Sequence, residues 1–180
     1  MTRWHPLAAT DDEFLQTARF RIVHIVNVST DTDHVWNVLT AHDALVSWTP
    51  LITASEWTSS RPFGVGTTRT VTLGHGAAAL RERFYRWDEG RRMTFTAESA
   101  SRPGFRRFAE DITLEPTPDG TRLTWTFAVD STPGFAPILA LSLPLLRRVT
   151  RGWANALADT ALADTALDDT ALDERRGTTR

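Results

Sequence analysis

Residues 81–99, RERFYRWDEGRRMTFTAES, place two alternating runs around a tight-turn signal, Asp88-Glu89-Gly90-Arg91. That is the signature of an antiparallel hairpin. With Glu89 and Gly90 at the tip, Arg86 faces Met93, Phe84 faces Phe95, and Glu82 faces Ala97. Cross-strand partners share a face of the sheet. Met93, Phe95 and Ala97 alternate with Arg92, Thr94, Thr96 and Glu98, so their side is the apolar one. Phe84 then points inward, and Glu82 and Arg86 go with it. Arg83, Tyr85 and Trp87 fall on the outer face, so Tyr85 is not expected to act as a cavity acid.

The same parity extends to neighbouring strands. In RFAEDITLEP (107–116), Phe108, Ile112 and Leu114 share the face of Glu110. A register with Ala97 opposite Phe108 and Phe95 opposite Glu110 continues the inner surface. In TTRTVTL (67–73), Val71 and Leu73 face in and carry Arg69 with them. In FRIVHIVNV (20–28), His24 shares the inner parity with Phe20, Ile22, Val26 and Val28. An apolar concave face therefore bears Arg69, Glu82, Arg86, Glu110 and His24. A one-residue bulge would exchange faces beyond it.

Two chemistries fit this set. If the arginines neutralise the carboxylates, the group is a paired, hydrogen-bonded network that shapes a pocket. If one carboxylate lacks a full partner, desolvation raises its pKa and suits it to general acid or base work. The candidates for that role are Glu110 and Glu82, with Arg69 orienting a carboxylate or polarising a carbonyl. His24 is either a satisfied core histidine or a polar hook for ligand.

Outward from the hairpin, TDDEFLQTA (10–18) carries a capping signal for a short helix. A second short helix begins near Asp31, and AHDALVSWTP (41–50) reads as a third, closed off by Pro50. From about residue 52 to 130 the pattern is six strands, with a flexible GHGAAA connection (74–79) and a clear TPDG turn (117–120). In the last strand Leu123, Trp125, Phe127 and Val129 alternate with Thr124, Thr126 and Ala128. Pro133 opens a long helix whose stripe is read as Ile138, Leu141, Leu145, Val149 and Trp153, with Pro144 as a kink. The end, ALADTALADTALDDTALDE, repeats with period five. Five residues advance about 500° on a helix, so Leu157, Leu162, Leu167 and Leu172 spiral round the axis and share no face. The expectation is a helical extension that passes into a disordered tail, with an oligomerisation handle as the alternative.

The boundaries that follow are an N-terminal segment (1–18), a main domain (19–158) and a repetitive tail (159–180). The fold class is α+β: a curved antiparallel sheet of about seven strands wrapped around a long C-terminal helix, with two short helices after the first strand.

Composition removes several functions. There is no Cys, which excludes thiolate chemistry and Cys-based metal sites. All 20 basic residues are Arg, which excludes a Schiff-base or phosphate-loop lysine. The five His show no ligand spacing, so no metal is expected, and no cofactor either. Gly64-x-Gly66 precedes a strand, not a helix, and is no dinucleotide fingerprint. Net charge is −2 and no basic stripe surrounds the aromatics, so nucleic acid is not an expected partner. The longest apolar run, FAPILALSLPLL (135–146), is too short to span a bilayer, and the N-terminus lacks a signal-like apolar core. A soluble, cytoplasmic protein is expected. Oligomeric state is left open.

Four stretches taken together resemble a known superfamily: VSTDTDHVWNVLTAHDALVSWTP (28–50), FGVGTTRTV (63–71), RERFYRWDEGRRMTF (81–95) and FAEDITLEPTPDGTRLTWTF (108–127). In order and spacing the chain resembles the START/polyketide-cyclase/lipid-transfer (SRPBCC) superfamily over about residues 14–158. The resemblance implies the helix-grip fold and a deep, largely apolar cavity between sheet and final helix. It carries over no catalytic set. The implied function is binding of a small hydrophobic or amphipathic ligand (lipid, polyketide or isoprenoid) as carrier or sensor. Two alternatives stand beside it: an aromatase/cyclase or dehydratase using a cavity carboxylate and Arg, and a protein-interaction module of the chaperone-activator type. The ligand would meet His24, Trp48, Arg69, Glu82, Phe84, Arg86, Phe95, Phe108, Glu110, Trp125 and Leu145. The long helix and the loops around Trp48 and Arg106 would gate the mouth. Arg102, Arg106 and Arg107 form a basic loop, read as solvated surface or as a lid for an anionic ligand.

Overall fold

The computed structural model describes residues 2–177, with side chains as far as residue 167. The alternating runs become seven consecutive strands of one antiparallel sheet. They are β2 (Phe20–Val28), β3 (Ile52–Trp57), β4 (Thr68–Leu73), β5 (Ala78–Asp88), β6 (Arg92–Ala100), β7 (Phe105–Thr117) and β8 (Gly120–Ser131), in the order β2-β8-β7-β6-β5-β4-β3. An N-terminal bridge, β1 (His5–Pro6), pairs with the end of β6. It follows the point where the β6–β7 ladder stops, at Thr96 and Ala109, although both strands run on. The strands splay there, and β1 covers the released edge of β6.

Helix α1 (Asp12–Thr17) is capped by Asp11, whose side chain accepts from the Phe14 N–H. It lies on the outer face of the sheet. Its buried Phe14 and Leu15 settle on Ala109 and Ala128, two small residues directly opposite each other in the ladder. Helix α2 (Thr32–Thr40) is capped by Asp31, and its Val35, Trp36, Val38 and Leu39 are buried. The stretch after it, residues 41–49, coils through separate helical turns. The N–H of Ser47 donates to Asp43 and that of Thr49 to Leu45, but Leu45 sits at φ 73° and interrupts the run. Gly120 closes the β7–β8 turn at φ 134°, and a Cβ there would fall 2.2 Å from the Val28 carbonyl oxygen. Only glycine lets the two edges approach so closely.

Helix α3 (Ala136–Gly177) runs across the concave face and continues through Pro144. It passes residue 158 without a break: Ala161 is fully buried, and the Thr165 hydroxyl bonds that of Thr30 on the loop before α2. In the period-five repeat, Leu157 is fully buried while Leu162 and Leu167 are exposed, as the spiral requires. Leu172 and the extreme end of the expected tail lie outside the described side chains. This is the helix-grip arrangement.

Two expectations about faces are corrected. Trp87, not Arg86, turns inward. Between Phe84–Phe95 and Arg86–Thr94 the pairing shifts by one, so that Trp87 meets Met93. The extra residue is Tyr85, a bulge that reverses parity for the rest of β5. Trp87 then packs edge-on to Trp36, Trp57 and Phe84, while Arg86 pairs outside with Asp12. Burying an indole is much more favourable than burying a guanidinium without a fixed partner. On α3 the inward face is Leu139, Leu143, Leu146, Thr150, Trp153, Ala154, Leu157 and Ala161, which keeps Trp153 of the expected stripe but not Ile138, Leu141 or Leu145. Ile138, Leu141 and Leu145 are 55%, 85% and 64% exposed. Residues 135–146 are apolar on every side, so periodicity alone does not choose a face. The alanines at 154, 158 and 161 do, because they let the helix approach the sheet and α2.

Candidate functional site

Cross-strand register builds the site. Arg69 on β4 stands opposite Glu82 on β5, Glu82 opposite Ala97 on β6, and Phe95 opposite Glu110 on β7. Ala97 leaves room for the chain of Glu82. Arg69 Nε donates to Glu82 Oε2 at 2.8 Å, and Nη2 lies 2.7 Å from the same oxygen in an ion pair. The guanidinium also sits 5.0–5.3 Å from the ring centroids of Trp57, Phe84 and Phe95. A cation held by one carboxylate and three aromatic faces is well compensated for its loss of water.

Glu110 is held differently. Its Oε2 accepts one bond, 2.8 Å, from the indole N–H of Trp125. No other hydrogen bond to this carboxyl occurs among the described residues. Burial pushes its pKa up, the charge of Glu82 pushes it further, and the Trp125 bond and Arg69 oppose; the result is about 8. Burial also raises Glu82, against the pull of Arg69. One buried cation balances one anion, so the second carboxyl keeps its proton. Arg69 is bonded to Glu82, so Glu110 is the neutral acid at pH 7.

These groups line an internal cavity of about 250 Å³. Its buried end is made by Leu39, Leu45, Ile52, Met93, Ile112 and Trp125 around Arg69, Glu82 and Glu110. Toward the splay of β6 and β7 the lining residues reach solvent: Leu73, Ala78–Leu80, Arg102, Phe105, Phe108 and Leu146. The mouth therefore lies between the β4–β5 connection, the 101–105 loop and α3.

Of the residues expected at a ligand, Arg69, Glu82, Phe95, Phe108, Glu110 and Trp125 line this cavity. Phe84 lies beneath Arg69 in the aromatic cluster and does not reach the space. Trp48 is buried edge-on to Trp125, behind the wall, so it is no part of the mouth. Arg86 and Leu145 are displaced for the reasons given above; the neighbour Leu146 takes the place at the cavity. His24 is buried in the wall rather than in the cavity. The Thr150 hydroxyl donates to the Leu146 carbonyl, so it must accept from His24 Nε2, at 2.7 Å. Burial and the nearby Arg151 and Arg147 lower the His24 pKa and keep the ring neutral. Tyr85 stays outside; burial raises its pKa.

Sequence reasoning passed over Leu39, Leu45, Phe105, Leu146 and Thr150. Leu45 lies in an irregular stretch without periodic signal, Leu39 and Phe105 stand at the end of α2 and the start of β7, and the α3 residues become visible only once its inward face is known. Among the described residues no group of three or more His, Asp or Glu side chains is placed to hold a metal, and no helix is long and apolar enough to cross a membrane.

Residues 19–165 match the family described as polyketide cyclase/dehydrase and lipid transport. The chain belongs to that family. Uncharacterised proteins of Mycobacterium bovis and Mycobacterium tuberculosis are 33% identical over 153 residues, 85% of this chain and 91% of theirs. In fold, the protein is similar to the ZhuI aromatase/cyclase of Streptomyces sp. R1128 (TM-score 0.65, 17% identity, 79% of this chain and 93% of that one). It is also similar to a START superfamily protein of Mycobacterium smegmatis (TM-score 0.58, 15% identity, 80% and 95%). At these identities the likeness speaks to the fold, which places the protein among the START-like helix-grip proteins and says nothing of its chemistry.

Proposed function

We propose that the protein binds a compact hydrophobic or amphipathic molecule in the internal cavity, as a carrier or sensor. The observation that carries this reading is a largely apolar internal cavity whose lining holds Glu110, bonded to Trp125, and the Arg69–Glu82 pair. Apolar burial supplies the affinity, and a few polar groups set orientation. At about 250 Å³ the space lies near the lower end of small-molecule sites, roughly 300–1,000 Å³. That favours a small polycyclic or short-chain ligand over a diacyl lipid. Protonated Glu110 would donate to a ligand carbonyl or hydroxyl oxygen, while the Arg69–Glu82 pair fixes the polar end of the pocket. The test is native mass spectrometry and organic extraction of protein purified from its own host. An apolar compound should co-purify, and Leu146→Trp, which adds bulk at the mouth, should lower its occupancy. Repeated recovery of empty wild-type protein would overturn the reading.

A second reading, dehydratase or cyclase chemistry, is favoured by one feature: an acid whose pKa lies near neutral pH is matched to proton transfer. In a dehydration, Glu110 would give its proton to the departing hydroxyl, which leaves as water when the C–O bond breaks. The resulting carboxylate would take the α-proton of the substrate, so the carboxyl ends as it began. Glu110→Gln keeps the hydrogen bond from Trp125 but cannot transfer a proton. Ligand retained with turnover lost would support this chemistry; turnover undiminished in Glu110→Gln would reject it.

A further inference from the structure

We propose that the outward face of the first turns of α3, with the arginines that follow it, docks on an anionic lipid bilayer. Single exposed apolar residues need no explanation. Here Ile138, Leu141 and Leu145, spaced by three and four, form one line on the side of α3 away from the sheet, at 55%, 85% and 64% exposure. The inward side of the same turns is already occupied by Leu139, Leu143 and Leu146. The outward line therefore has no partner within the described protein.

Charge decides the occupant. From Ala136 to Ala158, α3 holds no acid, and its charged residues are Arg147, Arg148 and Arg151. None of the three forms an ion pair among the described residues. With Arg21 of β2 they line a concavity of about 540 Å³ between the edge strand and the helix. At the other end, the 101–104 loop is clamped on the start of α3. The Thr132 N–H donates to the Gly104 carbonyl at 2.8 Å, and Gly104 lies against the Phe135 ring so tightly that a Cβ would meet it at 2.8 Å. Arg102 in this loop is exposed, and its Nε donates to the Ala77 carbonyl at 2.6 Å, beside the cavity mouth. The net charge of the whole chain is −2, so the positive field is local to this face. Apolar side chains followed by arginines match the acyl boundary and the phosphates of an anionic leaflet. A symmetric contact of this face with a second copy would offer these arginines no carboxylate from residues 136–158. Past Gly152 the outward line turns to Asn155 and Asp159, which ends the docking surface.

The surface adjoins the cavity mouth: Leu145 is next to the lining residue Leu146, and Arg102 and Phe105 also line the mouth. Docking would present the opening to the bilayer; that purpose, though not the docking, rests on the cavity reading.

The experiment is flotation of the full chain with vesicles of phosphatidylcholine alone and of phosphatidylcholine with phosphatidylglycerol, at low and high salt. Binding to the anionic vesicles only, weakened by salt, is expected. Leu141→Asp with Leu145→Asp should lower the bound fraction about tenfold at an unchanged melting temperature, because both side chains are already in water. Arg147→Glu with Arg148→Glu should remove the preference for anionic vesicles. No binding to anionic vesicles, or binding undiminished in the Asp variant, overturns the proposal. A wild-type dimer in sedimentation velocity that the Asp variant dissolves gives the face to a second copy and also overturns it. Vesicle binding without any cavity ligand would leave docking intact and sink the cavity reading; ligand without vesicle binding would do the reverse.

Discussion

Glu110 is stored in the fold as an acid, and that has a measurable consequence for stability. Its folded pKa, about 8, lies above the ordinary carboxyl value of 4.5. Below pH 4.5 both folded and unfolded forms hold the proton, and burial of the carboxyl carries no ionic penalty. Between the two values the folded state holds a proton that the unfolded state has released, so stability falls as pH rises. Above pH 8 the penalty is complete. At about 1.4 kcal/mol per pKa unit it amounts to a few kcal/mol at most. Glu110→Gln should therefore melt close to wild type at pH 4.5 and progressively higher than wild type up to pH 8. Parallel pH profiles of the two proteins would show that Glu110 does not hold its proton. The inward set Arg69, Glu82 and Glu110 is legible in the sequence because each lies at even spacing from apolar residues on its own strand. Arg86 was not legible. The Tyr85 bulge is written nowhere in the local pattern; it arises because Trp87 gains more from the Trp36–Trp57–Phe84 cluster than Arg86 could inside.

At the scale of elements, the β5–β6 hairpin does more than set register. Glu89 at its tip accepts from two indoles, Trp36 Nε1 at 3.0 Å and Trp87 Nε1 at 2.8 Å. One carboxylate thus ties α2 to the end of β5. Truncation would leave two donors seeking water. Because Glu89 is itself exposed, water can reach the site, and the loss belongs at the low end of the range for an unpaired buried group, about 1 kcal/mol. Glu89→Ala should lower the midpoint of urea unfolding accordingly, with Glu89→Gln between it and wild type. A midpoint unmoved in Glu89→Ala would mean that the tip does not secure α2. The existence and order of the strands and of α1, α2 and α3 could be read from period and caps. The facing of α3 could not: its first turns are greasy all round, and the choice falls to the small residues Ala154, Ala158 and Ala161 downstream.

At the scale of the molecule, the cavity exists because the sheet does not close. β6 and β7 part beyond Thr96 and Ala109, residues 5–8 bridge the two strands there through Glu98, Ser99, Ala100 and Arg106, and α3 crosses the concave side without filling it. A space of about 250 Å³ in an interior otherwise packed to crystal density forgoes contacts that a ligand would restore. Occupancy must then raise stability by mass action, near 2.7 kcal/mol when free ligand stands at 100 times its Kd. Protein stripped of apolar compounds by organic extraction and refolding should melt below the same protein taken from its host. Adding back the extract should restore the higher melting temperature in a concentration-dependent way. Glu110→Ala should weaken that response while Arg86→Ala, on the outer face, leaves it unchanged, which separates loss of a cavity contact from general destabilisation. An extract that leaves the melting temperature of stripped wild-type protein unmoved would show that the cavity is a packing defect and not a binding site.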